Sequence, residues 1–71
     1  MYKNLFFVMK EKKITFSQIA DLLGYKKYQT VSDYVQGKTD AGFLLEDALK
    51  IWKVYFPEYS FEWLFAKTRT N

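Results

Sequence analysis

Residues 24–38, GYKKYQTVSDYVQGK, gather three ammonium groups (Lys26, Lys27, Lys38), two side-chain amides (Gln29, Gln36), the hydroxyls of Thr30 and Ser32, and the Asp33 carboxylate. Ammonium groups attract anions, and an amide offers both a donor and an acceptor to whatever it meets. This is binding chemistry. Catalysis is poorly provided for, because the chain has no histidine and no cysteine and so lacks an imidazole base, a thiolate nucleophile and the usual nitrogen and sulfur metal ligands. Glu46 and Asp47 are adjacent, and neighbours on a helix diverge by about 100°, so they do not converge on a substrate. The expectation is a binding protein, not an enzyme, with no metal, no cofactor and no small-molecule substrate.

Charge is distributed unevenly. Residues 1–38 carry seven lysines against Glu11, Asp21 and Asp33, a net +4, whereas residues 39–71 come to −1. A basic first half suits a polyanionic partner, and it equally suits a solvated surface that keeps the protein in solution. With 71 residues there is room for one domain and one core. Fifteen aromatic side chains supply the apolar area for that core in the absence of disulfides. The apolar run LFFVM is too short for a signal peptide or a membrane span and is followed by KEKK. A cytoplasmic protein with no membrane partner is therefore expected.

The elements that must position the polar segment are short helices. Leu5, Phe6 and Met9 form a helical stripe within residues 2–12, with Lys10, Lys12 and Lys13 favouring the carboxyl end. Thr15 stands three residues before Gln18, the reciprocal capping-box spacing, and Phe16, Ile19, Ala20 and Leu23 follow at helical intervals until Gly24 closes the segment. A further helix over 29–36 turns Val31, Tyr34 and Val35 inward and presents Gln29, Thr30, Asp33 and Gln36 outward, ending at Gly37. Periodicity then predicts a longer helix over 42–56 with Leu45, Ala48, Leu49, Trp52 and Phe56 on its buried face, stopped by Pro57. Ser60 caps a last helix whose Leu64 and Phe65 close the core. The predicted fold is all-α: a compact five-helix bundle in a single domain spanning residues 1–71, with 66–71 as a frayed tail.

Three stretches resemble the phage Cro and CI repressor type of helix-turn-helix regulator, the XRE family. ITFSQIADLLGY resembles that family's L-T-Q-x-x-L-A-x-x-L-G-V, TVSDYVQGK resembles T-I-S-x-W/Y-E-x-G-K, and YSFEWLFAK resembles the closing S-x-x-W-L-x-G. The resemblance implies a lambda-repressor-like bundle in which helices two and three form the helix-turn-helix and helix three enters the major groove of double-stranded operator DNA. Carried over position by position, it puts Tyr28, Gln29 and Asp33 at base-reading positions and Thr30 and Ser32 at the groove edge. Gln29 stands out because its amide can pair bidentately with adenine. Lys27 and Lys38 are implied as phosphate contacts, with Ser17 and Gln18 adding backbone contacts from the start of helix two.

Departures from the family pattern bear on function. Phe16 stands where relatives commonly have a phosphate-binding glutamine, Val35 replaces a glutamate, and one extra residue separates Gly24 from Ser32. Asp33 and Asp40 are expected near phosphates, where a carboxylate weakens binding unless it accepts from a cytosine amino group. Weak DNA binding by a single subunit is therefore expected, with a homodimer or another protein completing the site. Tyr59, Phe61 and Trp63 concentrate at one corner and are candidates for an interface, or for a roof over the core. Two functions follow from the resemblance. One is a Cro-like transcription regulator of a temperate phage or prophage switch; the other is a modulator that binds the companion CI-type repressor and alters its operator binding.

Overall fold

The computed structural model describes residues 1–68, and among them it contains five α-helices and no strand. They are α1 (Lys3–Lys12), α2 (Phe16–Leu23), α3 (Tyr28–Gln36), α4 (Leu45–Tyr55) and α5 (Phe61–Leu64). No helix among the described residues is long and apolar enough to cross a membrane. The bundle is an all-α globule measuring 31 × 28 × 22 Å.

Local chemistry sets the helix ends. Thr15 Oγ1 accepts from the Gln18 amide at 3.1 Å while Gln18 Oε1 accepts from the Thr15 N–H at 2.8 Å, so the capping box is complete. Ser60 Oγ accepts from the Trp63 N–H in the same way at the start of α5. The first three helices close alike. The N–H groups of Ile14, Tyr25 and Lys38 reach back to the carbonyls of Met9, Ala20 and Asp33 at 2.8, 2.9 and 3.0 Å, with Lys13, Gly24 and Gly37 in the left-handed conformation at each corner. This double hook satisfies carbonyls that would otherwise end the helix unpaired.

Each helix contributes to one core: Leu5, Val8 and Met9 from α1, Ile19 and Ala20 from α2, Val31 and Val35 from α3, Ile51 from α4 and Leu64 from α5, with Phe56 fully buried beside them. Phe6, expected inside, is half-buried and stacks on Phe16 with ring centroids 6.0 Å apart. Helices α2 and α3 share the most extensive helix contact, and α3 also packs on α1.

The fourth helix differs from the sequence expectation in both start and phase. It begins at Leu45, three residues after Gly42, because the preceding chain is held by a distant residue. Tyr2 is buried, its hydroxyl accepts from the Phe43 N–H at 3.2 Å, and its ring lies 5.3 Å from that of Phe43, so residue 43 is committed before the helix can start. In phase, α4 turns Ala48 and Ile51 inward and leaves Leu45 exposed, while Leu49 and Trp52 are half-buried. Phe56 lies inside as expected.

The two ends of the described chain meet. Met1 N donates to the Thr68 carbonyl at 3.2 Å and the Thr68 N–H donates to the Met1 carbonyl at 2.9 Å, while the Tyr2 N–H caps the Val35 carbonyl at the end of α3. Of the segment expected to fray, Thr68 is held by this clasp and the Ala66 N–H bonds back to the Trp63 carbonyl. Residues 69–71, the remainder of that segment, lie outside the described residues.

Candidate nucleic-acid interface

The turn between α2 and α3 is four residues long, Gly24 to Lys27, and it is anchored from behind. Tyr25 packs its ring against the core and donates its hydroxyl to Asp47 Oδ2, 2.8 Å away in the first turn of α4. Burial first, and then the hydrogen bond and charge of Asp47, push the Tyr25 phenol up to about 12, so the hydroxyl stays protonated and the tie holds at neutral pH. The effect is positional. By pinning residue 25 to α4, the fold sets where α3 begins.

From that anchor, α3 runs outward with its polar side free. Lys26 and Lys27 are exposed in the turn, Tyr28 is 55% exposed, Gln29 is exposed, and Thr30 and Asp33 are half-buried. Lys38 is exposed just past the other end. The helix has nine residues, a length of about 13 Å at 1.5 Å per residue. Lysines thus stand at both ends of a helix about as long as the major groove is wide, roughly 12 Å. No side chain caps the start of α3 and its first turn has no acid, which leaves N–H groups and the positive end of the helix dipole beside Lys26 and Lys27. Ser17 and Gln18 are exposed at the start of α2, although Gln18 spends its Oε1 on the capping box.

Two of the implied contacts are engaged internally. Gln29 Nε2 donates to Asp33 Oδ1 at 2.9 Å one helical turn away, on an exposed surface where water or a base edge can replace the bond. Ser32 departs from the groove-edge expectation. It is only 6% exposed and its hydroxyl accepts from Gln36 Nε2 at 2.8 Å, so it faces the interior side of α3, adjacent to Val31 and Val35.

Other residues matter that the sequence left unmarked. Tyr25 is one, since nothing in the local pattern signals its partner Asp47, 22 positions away. Lys10 is another: its ammonium lies 4.4 Å over the Phe6 ring, and Phe6 stacks on Phe16 at the first position of α2. Phe16 is thus held in an aromatic stack, and Lys10 supplies a cation beside it.

The aromatic corner is more buried than its composition suggests. Tyr59 and Phe61 are half-buried, with Phe61 edge-on to Trp52 at 5.8 Å and Tyr59 lending its carbonyl to Trp52 Nε1 at 2.7 Å. Trp63 stacks on Tyr59 at 5.5 Å and is the member of the three left substantially open, at 41%. Roof and surface are thus both represented at this corner. No family model, no curated protein and no solved structure matches this chain.

Proposed function

We propose that this protein is a transcription regulator of a temperate phage or prophage switch, Cro-like in action, which occupies operator DNA through the outer side of α3. The observation that carries the reading is the arrangement of α3 itself: an uncapped, acid-free first turn beside Lys26 and Lys27, Tyr28 and Gln29 open to solvent, and Lys38 at the far end. Lysines at the two ends suit the phosphates on either side of a groove, and Gln29 between them suits an adenine edge. Bound protein acts by occupancy, excluding polymerase or a competing repressor. A gel-shift titration against the intergenic DNA upstream of the protein's own gene tests the reading. Salt-sensitive binding that weakens in Gln29→Ala is expected, and absence of site-specific binding would overturn it.

A second reading is favoured by one particular feature. The loop and helix start that follow α3 read GKTDAGFLLED, and here Leu44 and Leu45 are 63% and 68% exposed beside the carboxylates of Asp40 and Glu46. Exposed leucines and carboxylates suit a protein surface better than a phosphate backbone. On this reading the protein acts as a modulator that docks on the companion CI-type repressor and changes its operator binding. Co-purification with the neighbouring repressor, and a shift in that repressor's operator affinity, would support it; no complex and no shift would eliminate it.

A further inference from the structure

Helix α4 carries an apolar stripe that the fold covers only in part. Leu45, Leu49 and Trp52 recur at i, i+4 and i+7 and share one flank of the helix, yet the helix is rolled so that Ala48 and Ile51 take the interior. Leu45 and its neighbour Leu44 are exposed, Leu49 is half-buried, and Trp52 is half-buried and fixed by its indole hydrogen bond to Tyr59. The stripe has a rigid aromatic end and a free aliphatic end.

The charges beside it are ordered. Exposed Glu46 lies next to the amino end of the stripe and exposed Lys53 next to the carboxyl end, and at 100° per residue the two project within about 20° of each other around the axis. This pattern is complementary to itself when reversed. A second copy of α4 running antiparallel about a two-fold axis at Leu49 brings Leu45 onto the partner's Trp52, Leu49 onto the partner's Leu49, and Glu46 onto the partner's Lys53, with each pair made twice. Nucleic acid does not fit a leucine stripe edged by a carboxylate.

We infer that α4 is a self-pairing face and that the protein forms a two-fold dimer through an antiparallel α4–α4 contact. The face is short: eleven residues span about 16 Å, which cannot bury the roughly 1,600 Å² of a standard stable interface. The dimer is accordingly weak and concentration-dependent. It does not depend on what the outer side of α3 binds.

Sedimentation velocity of the full chain over a wide concentration range tests this, with Leu45→Glu, Glu46→Lys, Lys53→Glu and the Glu46→Lys/Lys53→Glu double variant. All three positions are exposed, so far-UV circular dichroism should match wild type throughout. The wild-type sedimentation coefficient should rise with concentration, and Leu45→Glu should stay monomeric. Each single charge change should weaken the dimer, by about two- to five-fold per ion pair lost, and the double variant should recover wild-type affinity. Wild-type monomer at every concentration overturns the inference. So does a dimer indifferent to Leu45→Glu and to both charge changes, which would place the contact on another face such as the Trp63 corner.

Discussion

Lys13 holds φ 59°, a left-handed conformation that a side chain with a β-carbon resists, yet it forms the corner that lets Ile14 hook back onto Met9. Lys13→Gly should therefore raise stability by about 1 kcal/mol, read as a higher urea midpoint at unchanged slope. Tyr25 gives a second residue-scale prediction. Tyr25→Phe keeps the ring and removes the hydrogen bond to Asp47, at a loss of about 1 kcal/mol. The pH dependence has a definite sign: a phenol raised to about 12 in the folded state, against about 10 unfolded, holds more protons folded than unfolded in that interval. Its contribution is complete below pH 10 and is lost as pH rises toward 12. Wild type should lose stability over that window more steeply than Tyr25→Phe in parallel urea titrations. Thr15, Gln18, Gly24 and Gly37 were legible in the sequence because capping and left-handed corners are local devices. Tyr25 with Asp47 was not, because the pair exists only after α2 and α4 meet.

Among the helices, the ends carry the most specific chemistry. Gly24 and Gly37 both sit at positive φ, but a β-carbon at Gly24 meets open space whereas one at Gly37 would stand 2.8 Å from Met1 N. Gly24→Ala should cost about 1 kcal/mol from conformation alone, and Gly37→Ala should cost more because the terminal clasp must also shift. Thermal unfolding of the two variants side by side checks that order. Lys12 joins α1 to the end of α4 by donating to the Tyr55 carbonyl at 2.8 Å and pairing with Glu58, with Phe56 and Tyr59 beneath its ammonium. The Lys12 hydrogen bond holds the Glu58 carboxyl below its ordinary value, so this contribution is present above the usual glutamate range and is lost as pH falls below that range through the lowered value. Lys12→Met should lower the urea midpoint at neutral pH. The sequence located α2 and α3 to within a residue, since each has a marked beginning or end. It misread α4 because Tyr2, 41 positions from Phe43, decides where that helix starts. The roll of α4 against α2 and α5 then decides which of its two apolar flanks is buried.

On the scale of the whole molecule, the bundle places a polar helix between lysines and supports it from behind through Tyr25, Val31 and Val35. The basic excess of the first half is concentrated less on α3 than its sum suggests, since Lys12 is committed to α4 and Lys10 to the Phe6 ring. Lys26, Lys27 and Lys38 remain exposed around α3. On the proposed DNA-binding reading, phosphate contacts by these three lysines would give a log–log salt slope of about −3 per subunit, and removing Lys27 should reduce its magnitude by about 1. Gln29→Ala should weaken binding by about 1–3 kcal/mol at a preferred site and leave the salt slope unchanged, because a base contact releases no counterions. The most direct measurement is footprinting of the purified protein on the intergenic DNA upstream of its own gene, titrated between about 50 and 200 mM salt. Occupancy of α3 by DNA predicts a protected site whose affinity falls with salt and is lost preferentially in Gln29→Ala; no protected site at low salt, or protection indifferent to Gln29, would contradict it.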